Sequence, residues 1–265
     1  MREPRNMNPF FFGNAREPLF GVYSPPASAG SRENAVLICP PLGREYIRSH
    51  WALRRVADQL AGTNTHVLRF DYFGTGDSAG ESQQGDVTRW RDDIRAAAEE
   101  LVELSGVRKP AVLGLRAGAA LAATTVGLET TSFVLWDPIL SGQEYLCHLQ
   151  DLHQCKLETY NRNRRRPVLE TPEELLGFPM SPAMRESIEQ LDVPNEFSIK
   201  ADRIRVFHSS EANGSERLLA ALEKEHREFS AEVIEDAGEW DQAARVGDAF
   251  LPGPILSAVV NALKG

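Results

Sequence analysis

Residues 111–119, Ala111-Val112-Leu113-Gly114-Leu115-Arg116-Ala117-Gly118-Ala119, decide how this chain folds. The apolar run Ala111–Leu115 predicts a strand buried on both faces of a sheet. Ala117–Val126, rich in small residues, predicts a helix that starts immediately after it. Gly114 and Gly118 flank the junction and let strand and helix pack closely around a tight turn with Arg116 at its tip.

The same alternation extends in both directions. Upstream, Pro9–Gly13 and Leu19–Tyr23 read as an opening antiparallel pair, Ala35–Cys39 as a buried strand, and His66–Phe70 as the next strand. Tyr46–Leu60 has helical period with Trp51, Leu53, Val56 and Leu60 on one side. Val87–Leu104 carries a stripe of Trp90, Ile94, Ala97, Leu101 and Leu104. Downstream, Ser132–Trp136 is a strand. The alternation then stops from Leu140 to about Lys200, a helical or irregular stretch with the basic run Arg162, Arg164, Arg165 and Arg166. Strands resume at Arg203–His208 and Glu232–Glu235, with helices over Glu216–Lys224 and Asp248–Leu263. The prediction is an α/β fold: an eight-stranded, mostly parallel sheet wrapped by helices, residues 1–139 and 201–265, with residues 140–200 inserted as a helical lid. Such an insertion would sit over the carboxyl ends of the strands, where these sheets bind ligands.

Composition narrows the partners. The chain has 265 residues, of which 42% are hydrophobic, enough for a sizeable core without metal or disulfide. A net charge of −9 argues against nucleic acid or an anionic membrane surface as a general partner. Cys39, Cys147 and Cys155 form no CxxC pair and read as reduced thiols. Residues 1–14 lack the apolar core of a signal peptide, and no stretch approaches a membrane span. The expectation is a cytoplasmic protein with no cofactor and no metal, its oligomeric state open to homo-oligomers.

Four stretches in order resemble the α/β-hydrolase superfamily. They are Cys39-Pro40-Pro41-Leu42-Gly43 after the third strand, Asp71-Tyr72-Phe73-Gly74-Thr75-Gly76-Asp77-Ser78 after the fourth, the turn Gly114-Leu115-Arg116-Ala117-Gly118, and Asp236-Ala237-Gly238-Glu239-Trp240 after the last strand. The second is typical of the serine-aminopeptidase-like branch. Glu45-Tyr46-Ile47-Arg48-Ser49-His50 and Leu175-Leu176-Gly177-Phe178-Pro179 are similar to a subgroup near the exosortase-associated hydrolases. The resemblance implies a nucleophile elbow at Arg116, an oxyanion loop at Pro40–Gly43, and a histidine-bearing turn at Gly238.

Two of those positions do not carry the family's chemistry. The elbow pattern G-x-S-x-G appears with Arg116 at its centre, and a guanidinium stays protonated and offers no lone pair, so it is no nucleophile. The residue after Gly238 is Glu239, and the nearest upstream histidine is His226, expected on a helix. The acid position after the seventh strand falls to Glu211, with Asp137 after the sixth strand as a second candidate. A buried cation needs a partner, so an Arg116–carboxylate cluster with Glu239, and Glu211 or Asp137, is expected in the old triad site.

For Arg116, a salt bridge that props the elbow and an anchor for a carboxylate, phosphate or oxyanion stand level, the latter helped by the amides of Ala117 and Gly118. Glu239 reads first as Arg116's partner and second as a general base. Ligand contacts are expected at Arg116, Ala117, Leu42 and Gly43. The Asp71–Ser78 loop matches no phosphate-binding motif and is expected to brace the elbow. His148 and His153 are awkwardly spaced for a metal and read as surface or packing residues; Cys39 reads as a core thiol; Ser209 and Ser210 lack elbow geometry. Two functions follow. One is a binding protein for a small anionic or acyl-type molecule, or for a protein partner, without serine-hydrolase chemistry. The other is a hydrolase or acyltransferase acting on an ester or thioester, in which a carboxylate such as Glu239 or Asp137 activates water while Arg116 holds charge.

Overall fold

In the computed structural model, the strand signals assemble into one sheet in which the third and fourth strands exchange places. The structure describes residues 7–27, 34–162, 171, 173–210, 215–224, 228–235, 240 and 253–264. The strands are β1 (Asn8–Phe12), β2 (Leu19–Ser24), β3 (Asn34–Cys39), β4 (Thr65–Phe70), β5 (Ala111–Leu115), β6 (Glu129–Trp136), β9 (Lys200–His208) and β10 (Phe229–Val233), ordered β1-β2-β4-β3-β5-β6-β9-β10. β1 pairs antiparallel with β2 and β2 with β4; every other neighbour is parallel.

Alternation along the central strands sorts the core into two layers. Leu37 and Cys39 of β3 face α2 (Val87–Ser105) and α3 (Ala117–Ala123), whereas Val36 and Ile38 face α1 (Gly43–Ala61) and α8 (Gly253–Leu263). Successive strand side chains point to opposite faces, so unbroken apolar runs mark strands covered twice. α2 is fixed at its start by Asp86, whose side chain accepts from the Arg89 amide at 2.9 Å, and at its end by left-handed Gly106. α1 buries Leu53, Val56 and Leu60 as expected, but Trp51 is turned outward at 51% exposure, with Arg54 over its ring. Helix phase decides this: Ala52, Leu53, Val56 and Ala57 form the buried stripe, and Trp51 falls beside it.

Between β6 and β9 the chain forms α4 (Gly142–Asn161), a two-stranded hairpin of β7 (Glu174–Leu175) and β8 (Phe178–Pro179), α5 (Pro182–Glu189) and α6 (Val193–Glu196). To the helices expected of this stretch the structure adds the hairpin, whose turn holds Leu176 and Gly177 at positive φ. α7 (Ser215–Lys224) precedes β10. No described helix is long and apolar enough to cross a membrane.

Candidate functional site

The strand–turn–helix at β5–α3 is built around a strained residue. Arg116 adopts φ 54°, ψ −119°, a region that costs a non-glycine residue on the order of 1–3 kcal/mol unless its surroundings impose it. They do: the Arg116 amide donates to the Trp136 carbonyl at 3.0 Å, and its carbonyl accepts from the Ala119 amide at 3.1 Å. The flanking glycines are required by contact. A Cβ on Gly114 would lie 2.4 Å from the Ala119 Cα, and one on Gly118 would lie 2.2 Å from the Cys39 carbonyl oxygen.

The Arg116 side chain meets a carboxylate that the sequence reading did not select. Its Nε donates to Glu45 Oε1 at 2.9 Å, and one terminal nitrogen donates to the Asp137 carbonyl oxygen at 3.3 Å. The Tyr145 hydroxyl from α4 donates to the other Glu45 oxygen at 3.2 Å, and the guanidinium carbon stands 6.0 Å from the Tyr145 ring centre. Glu45 is 3% exposed at its side chain and Arg116 20%. Burial alone would weaken the charge on Arg116. Glu45, Tyr145 and Asp137 outweigh it and hold the guanidinium above its ordinary value, so the site keeps a permanent cation.

Asp137, a candidate acid and candidate partner of Arg116, meets Arg116 through its backbone carbonyl. Its carboxylate does not pair with Arg116. Oδ1 accepts from the Ser209 amide at 2.7 Å, and Oδ2 accepts from the Ser209 hydroxyl at 2.6 Å and from Trp240 Nε1 at 2.7 Å. Three donors hold the buried carboxylate and take up most of its acceptor sites. Trp240 also packs edge-on against Trp136, with ring centres 5.3 Å apart. An indole N–H donates but accepts no proton, so the Trp240–Asp137 bond supplies no base. Glu211 and Glu239 lie outside the described residues.

Among the described imidazoles, His208 and His153 have hydrogen-bond partners of their own. His208 shares a 3.0 Å hydrogen bond with the Ser215 hydroxyl, and burial lowers its basicity while Asp137 partly opposes that. His153 Nδ1 accepts from the Leu176 amide at 2.9 Å and so ties α4 to the hairpin, whereas His148 is exposed. Cys39 is fully buried, and burial pushes its thiol far up, away from reactivity. Ser209 spends its hydroxyl on Asp137. Among the described residues no three His, Cys, Asp or Glu side chains are grouped to hold a metal. Arg162 is exposed at the end of α4; Arg164, Arg165 and Arg166 lie outside the described residues.

A cavity of about 300 Å³ opens between the start of α1, the Gly74–Gly76 turn and the 140–200 insertion. Its walls are mostly apolar, among them Leu42, Ile47, Trp90, Leu149, Phe178 and Met184. Of the four expected ligand contacts, Leu42 and Gly43 line it; Arg116 and Ala117 do not. Glu45 and Tyr145 line it instead and stand between the cavity and the cation they bind. The Asp71–Ser78 loop braces α1 rather than the elbow: Asp71 Oδ1 accepts from the Tyr46 hydroxyl at 2.6 Å, and Oδ2 accepts from the Asp77 amide at 3.0 Å. Glu45 and Tyr145 escaped the sequence reading because each sits in an unremarkable helix. A buried-charge count would have flagged only that some acid had to be near Arg116.

Solved structures of similar shape cover nearly the whole chain. Est1E from Butyrivibrio proteoclasticus, with ferulic acid bound, is 14% identical at a TM-score of 0.60, over 96% of each chain. XC6422 from Xanthomonas campestris, an α/β serine hydrolase without a lid, is 15% identical at 0.58, over 98% of this chain and 93% of its own. DcsB in complex with a substrate analogue is 14% identical at 0.60, over 98% of each chain. No family model and no curated protein matches the sequence. At this identity the likeness establishes the α/β-hydrolase fold.

Proposed function

We propose that this chain is a binding member of the α/β-hydrolase fold, taking a small acyl-type or anionic molecule into the cavity under the 140–200 insertion, which serves as its lid, without serine-hydrolase chemistry. One observation carries this reading: the tip of the elbow holds Arg116 locked to Glu45, where a hydrolase needs an activated hydroxyl. The Trp240–Asp137 bond supports it, since an indole stands where an imidazole would be useful. Est1E and DcsB, two proteins of similar shape, hold ferulic acid and a substrate analogue respectively. The apolar lining favours the acyl-type ligand within this class.

The carboxylate-activated water route receives less support, because each Asp137 oxygen already accepts a hydrogen bond and Glu45 is neutralised by Arg116. Both readings are tested by incubating the purified protein with a serine-directed fluorophosphonate and with chromogenic short-chain esters and thioesters. The expected result is no covalent label and turnover at the level of buffer. Stoichiometric labelling of any serine, or saturable turnover, overturns the binding-protein reading.

A further inference from the structure

The cation that lines the ligand cavity is Arg44, not Arg116, and we infer that Arg44 and the start of α1 hold the carboxylate of an amphiphilic monocarboxylic acid whose apolar tail fills the cavity. This deepens the binding reading above and rests on it.

Four observations converge. Arg44 lines the cavity and is half-buried, and its Nε is sealed from solvent with no hydrogen-bond partner among the described residues. Proteins seldom leave a charged donor in that condition, and an acceptor delivered by a ligand resolves it. Second, Arg44 stands in the first turn of a 19-residue helix, where the macrodipole already favours an anion and disfavours a cation. Third, the residue before that helix, Leu42, offers no side-chain cap to its first amides, so those donors have no acceptor from a cap. Fourth, the acid that follows, Glu45, does not answer Arg44: its two oxygens accept from Arg116 and Tyr145. Net positive potential therefore gathers at one end of an otherwise apolar chamber.

The rest of the chamber selects the tail. Trp90, Leu149, Phe178, Met180 and Met184 offer hydrocarbon and sulfur surface with no charge of their own, and methionine side chains re-pack around tails of differing length. A contrast comes from the smaller cavity of about 120 Å³ behind Tyr46, where Arg69 stands with Asp71 and Asp77. There a cation has carboxylates beside it in the same chamber. In the Arg44 chamber the lining carboxylate, Glu45, is held by Arg116 and Tyr145, and no described carboxylate lies within ion-pair distance of Arg44.

The test titrates the full chain with decanoate and, separately, with 1-decanol, both below their aggregation thresholds, following tryptophan fluorescence and heat. Saturable 1:1 binding of decanoate, at least about tenfold tighter than decanol, is expected, because a charge-assisted contact is worth on the order of 1.5–3 kcal/mol. Arg44→Gln is expected to weaken decanoate by about tenfold or more while leaving decanol within about twofold. The decanol arm shows that the variant retains its cavity. If decanol binds as tightly as decanoate, or Arg44→Gln leaves decanoate unchanged, the anchor is overturned and the cavity reading stands. If neither compound binds, both fall.

Discussion

Glu45 Oε1 lies 2.9 Å from Arg116 Nε across 71 residues of sequence, joining the first turn of α1 to the tip of the β5–α3 turn. Because Glu45 is 3% exposed and Arg116 20%, the pair is paid for mostly by its own attraction and by the Tyr145 hydroxyl. Removing either member leaves the other charge with too little water to replace its partner.

Glu45→Gln is expected to destabilise the protein by about 3 kcal/mol, near the low end for a broken buried pair because Arg116 keeps some solvent contact. Arg116→Met should cost a similar amount. The double variant Glu45→Gln with Arg116→Met should recover much of the loss, as neither side chain then carries a charge that needs a partner. Urea unfolding of the four proteins measures the coupling. Additive losses would show that the two side chains do not depend on each other.

Arg116→Ser places a hydroxyl at the strained tip but brings no base to it. The described contacts around that tip are Glu45, Tyr145 and the Asp137 carbonyl, and none is an imidazole. Hydrolysis of p-nitrophenyl butyrate by this variant is expected to remain at background, and a stopped-flow burst of product would contradict it.

Trp240→Phe keeps the ring packed on Trp136 and deletes the N–H that reaches Asp137. A hydrogen bond to a buried carboxylate is worth roughly 1.5–3 kcal/mol, so a loss of about 2 kcal/mol is expected in thermal or chemical unfolding. Ser209→Ala should cost less, about 1 kcal/mol, because the Ser209 amide still donates to Asp137 Oδ1.

Asp93 gives the protein a pH signature. Burial pushes its carboxyl up to about 6, against the opposing pull of the Phe73 amide at 2.8 Å and of Arg89. An acid that holds its proton more tightly when folded favours the folded state at low pH, and this contribution is lost as pH rises between about 4 and about 6. Across that window the wild type should lose up to about 3 kcal/mol relative to Asp93→Asn, and above it the two should run parallel. Unfolding free energies of both proteins at pH 4.5, 5.5 and 7 decide the matter; curves parallel throughout would place the Asp93 carboxyl at its ordinary value.

The parts of this fold that burial dictates were legible in the sequence. Ala35–Cys39 and Ala111–Leu115 are apolar throughout because both faces of their strands are covered, and the structure adds only Asn34 to the first. β10 is an edge strand with four of its five residues exposed, so it leaves no apolar pattern, and the predicted Glu232–Glu235 lies late against the observed Phe229–Val233. The hairpin Glu174–Pro179 was hidden because two-residue strands are shorter than any periodicity. At the site, Arg116 declared itself through the glycines that pin its backbone. Its partner did not, since a glutamate in a first helical turn is ordinary N-terminal chemistry and only the tertiary fold turns Glu45 inward. Asp137 was found, but its role follows from Ser209 and Trp240, contacts that no local spacing encodes.

The Tyr145 hydroxyl on Glu45 ties the inserted segment to α1 and, through Arg116, to the β5–α3 turn. Trimming residues 140–200 to obtain a minimal scaffold would strip a donor from the glutamate, flood the salt link with solvent and remove the ring beside the guanidinium. The appendage is thus no detachable module: whatever swings it outward also rewets the charges at the heart of the molecule.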